Sequence, residues 1–274
     1  EYRAASRLSN CLHAGYNSSG ISTMRVVDAR GEQYMTIERH DAALDRIVDP
    51  DEPLQWLGGE VTTDETGPLE GPVWFQEENY LLFSDIKGSR RLKWTAARGI
   101  EVVQSGTNMG NGMTRDRQGR LLACELAGRR VIRLESDGSV TVVARGFGAK
   151  PLNHPNDVMV KSDGSIYFTD PWSSIPLSPP SEYDLDVNGV YRLAPDLSRM
   201  SLLVKDMIFP NGLAFSPDEK IFYVNDLRRG HIRAYNVERD GSLAAVAGVV
   251  VGGRELAAVG AHHQPRAPPP RVVA

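Results

Sequence analysis

One short pattern of oxygen-bearing side chains returns four times along the chain. Each copy begins with a carboxylate or a carboxamide, continues with glycine or aspartate, and leads into a strand-like run. The first residues of successive copies are 41, 45 and 55 residues apart, close to the length of one blade in repeat proteins that stack four-stranded sheets. The four copies, called slot pairs below, are Glu70-Gly71, Asn111-Gly112, Asn156-Asp157 and Asn211-Gly212.

The slot pairs carry a donor set that suits a hard divalent cation. One carboxylate with several carboxamide oxygens matches Ca²⁺ best, because that ion accepts neutral oxygens in a flexible geometry. Neither His nor Cys occupies these positions, which disfavours softer metals. A cation bound here could polarise a carbonyl group and lower the pKa of bound water. That chemistry suits hydrolysis of an ester or a lactone.

A structural explanation of the same pattern stays open beside the chemical one. Asn and Asp before a strand commonly make local turn hydrogen bonds, and repetition can reflect repeated architecture alone. Four equivalent copies around a ring, one of them Glu70, favour a site.

A second recurrence places an acid at the end of a later strand in each copy. It lies 14 or 15 residues after the first residue of the slot pair, so its position is architectural in most copies and only one member need be catalytic. The four acids are Asp85, Glu125, Asp170 and Asp226.

The elements that must position these residues read as strands. Gly- and Asp-containing turns separate runs of aromatic and aliphatic residues such as Ser165–Thr169 and Arg130–Leu134, which is typical of half-buried strands. Four such strands per unit predict an all-β fold of the β-propeller type, with about four complete blades recognisable. The inner strand of each blade lines the central channel, so the slot pairs should converge at its mouth.

We divide the chain into three parts. Residues 1–34 show no repeat and are expected to form a disordered extension, residues 35–250 the propeller domain, and residues 251–274 a disordered tail rich in Ala, Pro and Arg. A short helix near 41–47 and a strand near 54–58 precede the first slot pair. Residues 171–188 form a Pro- and Ser-rich insertion, which predicts a lid over the binding mouth.

Composition excludes several classes of function. The net charge is −4 and no basic stripe alternates with aromatic residues, so nucleic acid is not expected as a partner. No apolar run reaches membrane-spanning length and no secretory signal is recognisable. The two cysteines, Cys11 and Cys124, form no disulfide pattern, and Cys124 reads as an inert buried thiol. A cytoplasmic setting is therefore expected.

The ordered set of motifs between about Thr36 and Leu243 resembles one known family, that of gluconolactonase, senescence marker protein and luciferin-regenerating enzyme. The motifs that carry the resemblance are Leu69-Glu70-Gly71-Pro72-Val73-Trp74, Asn153-His154-Pro155-Asn156-Asp157-Val158, Tyr167-Phe168-Thr169-Asp170 and Pro210-Asn211-Gly212-Leu213-Ala214-Phe215.

The resemblance implies a six-bladed propeller with one central divalent ion that hydrolyses sugar lactones or related cyclic esters. Ca²⁺ is the first choice of ion, with Zn²⁺, Mg²⁺ or Mn²⁺ as alternatives, and the oligomeric state is left open. Position by position, the resemblance implies a metal role for Glu70, Asn156 and Asn211, substrate contacts for Asn111 and His154, and an acid–base role for Asp170.

One departure from the family keeps a second hypothesis open. Family members place a further Asp ligand in a later blade, and no matching segment follows Leu243, so the C-terminal blades read as missing or atypical. The chain is then either a metal-dependent lactone hydrolase or a non-catalytic propeller that binds a small ligand or a partner. An EF-hand-like run at Asp184–Gly189 is set aside, because Pro195 stands where a bidentate Glu is needed.

Overall fold

Four antiparallel sheets follow one another along the chain. The computed structural model describes residues 45–46, 48–49, 57, 67–173, 184–251 and 254–256. The first sheet contains β1 (Leu69–Phe75), β2 (Tyr80–Asp85), β3 (Arg90–Thr95) and β4 (Gly99–Ser105). The second contains β5 (Gly110–Arg115), β6 (Leu121–Glu125), β7 (Arg130–Leu134) and β8 (Val140–Ala144).

The next two sheets repeat this plan after a short ladder of β9 (Gly146–Phe147) and β10 (Lys150–Pro151). The third sheet contains β11 (Val158–Val160), β12 (Ile166–Asp170), β13 (Asn188–Leu193) and β14 (Met200–Met207). The fourth contains β15 (Pro210–Phe215), β16 (Ile221–Asp226), β17 (His231–Val237), β18 (Leu243–Val251) and β19 (Arg254–Leu256).

The first strands of neighbouring sheets contact one another, β1 with β5, β5 with β11 and β11 with β15. The sheets are therefore four blades of a propeller, as the sequence predicts, with the slot pairs on or beside the innermost strands. Among the described residues, no helix is long and apolar enough to cross a membrane.

The hydrophobic core consists of clusters between neighbouring blades. A single strand can contribute side chains to two of these clusters. Leu122 and Cys124 of β6 pack in a cluster with residues of the third blade, including Phe168. Ala123, between them, packs in a cluster with Leu82 of the first blade. Successive side chains of a strand point to opposite faces, and both faces of an inner blade are covered. This is why the second strands read as nearly continuous apolar runs, and why the Cys124 thiol is fully buried.

The fourth sheet extends past the predicted end of the domain. β18 continues to Val251, and β19 pairs with it antiparallel, so strand structure reaches Leu256 where the sequence predicts a disordered tail from residue 251. The predicted N-terminal extension, the strand near 54–58 apart from Leu57, and most of the predicted helix near 41–47 lie outside the described residues. Of that helix, Asp45 and Arg46 form a 3₁₀ turn. The central part of the predicted lid, 174–183, also lies outside them.

Candidate active site

Irregularities in the inner strands place the slot pairs. The ladder of β1 with β2 is interrupted between Glu70 and Val73, and the corresponding ladders of β5 and β15 are interrupted at Asn111-Gly112 and at Asn211-Gly212. Such bulges bend a strand and redirect its side chains, and they are common beside active sites. The polar side chains are thereby freed from the regular alternation.

The third blade places its slot pair in a different way. β11 begins only at Val158, and the preceding Asn156 and Asp157 pair with Thr169 of β12 through two backbone hydrogen bonds of 2.8 and 3.0 Å. The slot pair of this blade therefore lies just before the inner strand rather than within it.

Glycines let neighbouring slot pairs approach closely. A Cβ on Gly71 would lie 2.4 Å from the carbonyl oxygen of Asn111, and a Cβ on Gly112 would lie 2.4 Å from Asp157 Oδ1. These distances are far below van der Waals contact, so only glycine fits at either position. The Gly112 N–H also donates to the Asn156 carbonyl at 2.8 Å. The first three slot pairs are thus packed directly against one another.

Side-chain hydroxyls tie the slots of the second and fourth blades to the preceding blade. Ser84 of β2 donates to the Asn111 carbonyl at 2.8 Å. Thr169 of β12 donates to the Asn211 carbonyl at 2.7 Å and accepts the Asp157 N–H at 3.1 Å. Ser84 and Thr169 both directly precede the recurrent acid of their strand. In these two pairs of neighbouring blades, the hydroxyl of one blade therefore fixes the slot of the following blade.

The predicted slot residues differ in their access to water. Asn111 and Asn156 are buried, whereas Glu70 and Asn211 are half-buried. Burial together with the neighbouring Asp157 carboxylate raises the pKa of Glu70 to about 7. The structure therefore brings Glu70 of the first blade and Asp157 of the third within electrostatic range of each other.

Asp157 is the residue that sequence reasoning missed. Its Oδ2 accepts the Leu213 N–H of the fourth blade at 3.3 Å, and loss of surrounding water raises its pKa to about 6. The signal was present in the sequence, because the second position of the slot pair is glycine in three copies and a carboxylate only here. The room that Gly112 and Gly212 leave is where this carboxylate lies.

The recurrent acids at the ends of the second strands share a location but differ in their partners. Asp85 pairs with Arg90 at 2.5 Å, Glu125 with Arg130 at 2.5 Å, and Asp226 with Arg229 at 3.2 Å. In these three blades the acid fastens a turn of its own sheet. In the described part of the chain, the fourth member, Asp170, has no ion pair with an arginine.

Asp170 is fully buried at the end of β12. Its Oδ2 accepts the Asn153 N–H at 2.8 Å, and its Oδ1 has no hydrogen-bond partner among the described residues. Burial raises the pKa of this carboxyl to about 8. A buried carboxyl whose pKa is raised by its environment is a candidate acid–base group.

His154 lies two residues before Asn156 and is buried. Its Nδ1 accepts the Ser173 N–H at 2.9 Å, and its ring packs against Trp172 with the ring centroids 4.5 Å apart. Burial, aided by the Arg129 guanidinium, lowers the pKa of His154 to about 4.

The donor set fits a hard divalent cation. Glu70 and Asp157 bring two partly desolvated carboxyls together, and the raised pKa of each shows that an adjacent positive charge would stabilise the ionised forms. Among the residues that the structure describes, no group of three or more His, Cys, Asp or Glu side chains is arranged to hold a metal. A cation at this position would therefore need carboxamide oxygens beside the two carboxylates.

A family model matches residues 69–257, and its description is the SMP-30/Gluconolactonase/LRE-like region. A gluconolactonase of Zymomonas mobilis subsp. mobilis is 29% identical over 222 residues, covering 75% of this chain and 61% of that protein. A regucalcin of Xenopus laevis is 31% identical over 160 residues, covering 57% of this chain and 51% of its own length. The chain therefore spans between half and two thirds of the length of these relatives.

Solved structures show the same likeness. A gluconolactonase from Xanthomonas campestris superposes with a TM-score of 0.59 at 37% identity, over 65% of this chain and 60% of that one. A luciferin-regenerating enzyme superposes with a TM-score of 0.53 at 19% identity, over 65% of this chain and 59% of that one. The second likeness concerns the fold alone.

Proposed function

The chain belongs to the SMP-30/gluconolactonase/LRE-like family, and we propose that it hydrolyses a sugar lactone or a related cyclic ester with the help of a divalent cation. The observation that carries the proposal is the convergence of the slot pairs around Glu70 and Asp157, whose carboxyls interact across the inner strands. The gluconolactonases that resemble this chain support the choice of substrate class.

Glu70, Asn156 and Asn211 are the proposed ligands, and Ca²⁺ is the ion that their oxygens suit best, ahead of Zn²⁺, Mg²⁺ or Mn²⁺. Asp157 adds a second negative charge beside them. Without a second carboxylate, one Glu and neutral amides would leave half of the charge of the cation unbalanced. When bound, the cation would polarise the lactone carbonyl and acidify water.

The remaining roles, substrate binding and proton transfer, are assigned to side chains of the protein. Asn111 and His154 are the proposed contacts to the substrate, and Asp170 is the proposed proton acceptor for the attacking water. Because Asp170 is closed off from solvent, this role requires a water molecule enclosed beside its unpartnered Oδ1. Only the ionised form of Asp170 can accept the proton of the attacking water, and because its pKa is raised to about 8, the carboxylic acid so formed can return that proton to the leaving oxygen.

Calorimetric titration with Ca²⁺, followed by lactone hydrolysis with and without chelator, tests the proposal. Glu70→Gln should weaken Ca²⁺ binding by at least about tenfold and abolish chelator-sensitive hydrolysis. Glu78→Gln, in the exposed turn after β1, is the matched control and should change neither.

Full hydrolysis by the Glu70→Gln variant would contradict the proposal. Calcium binding without turnover of any sugar lactone would support the second hypothesis instead, in which the blades form a non-catalytic module that binds a small ligand.

A further inference from the structure

Asn225 carries a buried amide oxygen beside the slot pair of the fourth blade. The ladder of β15 with β16 is interrupted between Pro210 and Leu213, and Asn225 of β16 lies opposite this bulge, which contains Asn211-Gly212. The residue is half-buried, but its Oδ1 is buried and has no hydrogen-bond partner among the described residues. An amide oxygen that loses water without gaining a partner costs free energy, unless a ligand compensates it.

Residues at the same position of two other blades do have partners. Ser84 and Thr169 directly precede the recurrent acid of their strand, and they donate to the slot carbonyl of the following blade at 2.8 and 2.7 Å. Asn225 precedes Asp226 in the same way, but no fifth blade follows within the described ranges. In that part of the chain, its side chain therefore does not connect two blades.

Gly212 leaves a space that Asn225 borders. A Cβ on Gly212 would lie 3.7 Å from Asn225 Oδ1 and 3.8 Å from Asp157 Oδ2, which are ordinary contact distances. On Gly71 and on Gly112, a Cβ would meet a neighbouring blade at 2.4 Å, so the protein itself fills those two spaces. The space at Gly212 is bordered instead by two side-chain oxygens, one from the third blade and one from the fourth.

Two oxygens around one space restrict what can bind there. Asp157 Oδ2 accepts the Leu213 N–H at 3.3 Å, and a carboxylate oxygen has capacity for a second partner. Because Asn225 Oδ1 is also an acceptor, a group that satisfies both oxygens must be a cation or a hydrogen-bond donor. Ca²⁺ takes about six to eight oxygen ligands, amide oxygens among them, which is more than the ligands named so far supply.

We propose that Asn225 is a further ligand of the cation, which it binds through Oδ1 beside Asp157, at the space that Gly212 leaves open. The inference rests on the proposed function, because it adds a ligand to the cation of that site. The fourth blade then supplies two amide oxygens, from Asn211 and Asn225. Since Asn225 is neutral, it leaves the charge of the ligand set unchanged and takes a position that water would otherwise occupy.

Calcium affinity, measured by calorimetry on variants of Asn225, tests the inference. Asn225→Leu keeps the size of the side chain and removes its oxygen, so the dissociation constant should rise about tenfold or more. Asn225→Asp replaces a neutral oxygen by a charged one, and the dissociation constant should fall about tenfold, because ligand charge tunes calcium affinity. Asn236→Leu, on the adjacent strand β17, is the matched control and should change nothing, since Asn236 is exposed.

A methyl group at Gly212 tests the space itself. Gly212 does not have a positive φ, and the new Cβ would make only ordinary contacts, so Gly212→Ala should fold as the unaltered chain does. The methyl would occupy the space at which the cation is proposed to bind. Calcium affinity should therefore fall about as much as in Asn225→Leu. Thermal unfolding in the presence of chelator establishes that each variant is folded.

The number of water molecules on the bound ion gives a readout independent of turnover. Luminescence lifetimes of Tb³⁺, bound in place of Ca²⁺ and measured in H₂O and in D₂O, count these waters. Asn225→Leu should add about one water, because water takes the position of the lost amide oxygen. Asn236→Leu should add none.

The outcomes separate this inference from the proposed function. Unchanged calcium affinity in both Asn225 variants, with calcium binding and hydrolysis intact in the unaltered chain, would overturn the inference alone. Weaker binding in both variants would also overturn it, since the amide nitrogen rather than the oxygen would then face Asp157. Calcium binding that depends on Asn225, without hydrolysis of any sugar lactone, would support the inference and overturn the proposed hydrolysis. A folded, unaltered chain that binds no calcium would overturn both.

Discussion

Asp170 in the third blade and Asp226 in the fourth occupy the same position in the repeat, but the pKa values of their carboxyls are shifted in opposite directions. Asp226 accepts the N–H groups of Ile208 and Phe209 at 2.9 and 3.1 Å and pairs with Arg229. These bonds outweigh the cost of burial, and the pKa of Asp226 is lowered. Asp170 accepts the Asn153 N–H with one oxygen only, and burial raises its pKa to about 8.

The difference shows how a repeat accommodates a site. The acid at the end of the second strand has a structural role in most blades, where it clamps a turn to the sheet. The third blade keeps the acid without an arginine ion pair in the described part of the chain, so burial raises the pKa of the carboxyl at a cost in stability. Such a cost is typical of functional residues.

The largest expected effect concerns activity. Asp170→Asn should lower kcat for lactone hydrolysis by about a hundredfold or more, because it removes the proposed proton acceptor. Asp226→Asn, which makes the same change in the clamping acid, should leave kcat per folded molecule nearly unchanged. Steady-state kinetics corrected for the folded fraction compares the two, and equal losses would remove the distinction between them.

The next effect concerns the pH dependence of hydrolysis. A base must be ionised, and Asp170 has a pKa of about 8, so kcat at saturating Ca²⁺ should fall about tenfold for each pH unit below that value. A rate profile from about pH 6 to pH 9 measures this. A flat profile in the unaltered chain would exclude Asp170 as the base.

Stability should change in opposite directions in the two Asn variants. The interactions of Asp226 stabilise the fold above the ordinary carboxyl pKa and are lost as pH falls, so Asp226→Asn should cost about 2 kcal/mol at pH 7. Asp170 has a raised pKa in the folded chain. The loss of stability that comes from burying its charged form is therefore absent below about pH 4, and it grows as the pH rises toward 8. Asp170→Asn should therefore stabilise the chain at pH 7, by up to about 4 kcal/mol.

Urea unfolding in the presence of chelator, at an acidic and a mildly basic pH, measures both changes. The gain in the Asp170 variant should be larger at the basic pH. A loss of stability in that variant would mean that Asp170, too, serves as a clamp.

The smallest effect should come from making the fourth blade resemble the third. Arg229→Gln removes the arginine partner of Asp226 while the backbone donors remain. Because Arg229 is 37% exposed, the loss in the free energy of unfolding should be only about 1 kcal/mol. The carbon NMR shift of the Asp226 carboxyl should show a pKa that moves toward that of Asp170. An unchanged pKa would assign the difference between the blades to the backbone donors instead.

Much of the fold could be predicted because its signals are local. The strand Arg130–Leu134 and the ends of the second strands follow from alternation and turn residues, and the repeat length indicates blades. β19 has no such signal, since its three residues are ordered by pairing with β18. Short strands that exist only through a partner lack a sequence pattern of their own.

The candidate site could also be predicted only where its signals are local or repeated. Recurrence alone indicated Glu70 and the slot asparagines. The importance of Asp157 depends on its approach to Glu70 across the channel, and the contrast between Asp170 and Asp226 depends on which arginine reaches which acid. The hydrogen bond to His154 Nδ1 comes from Ser173, a partner 19 residues away. Contacts between residues that are distant in the sequence produce no periodic pattern from which they could be predicted.

The hydroxyl bonds of Ser84 and Thr169 have a consequence for how such chains can be recombined. Each donor belongs to one blade and supports the slot of the next. The residues that act together at such a slot therefore come from two neighbouring blades. A chimera cut between the first and second blades, or between the third and fourth, would separate a slot from the hydroxyl that holds it. A crossover placed within a blade, just before the second strand, would carry both together, and modular exchange should succeed at that boundary.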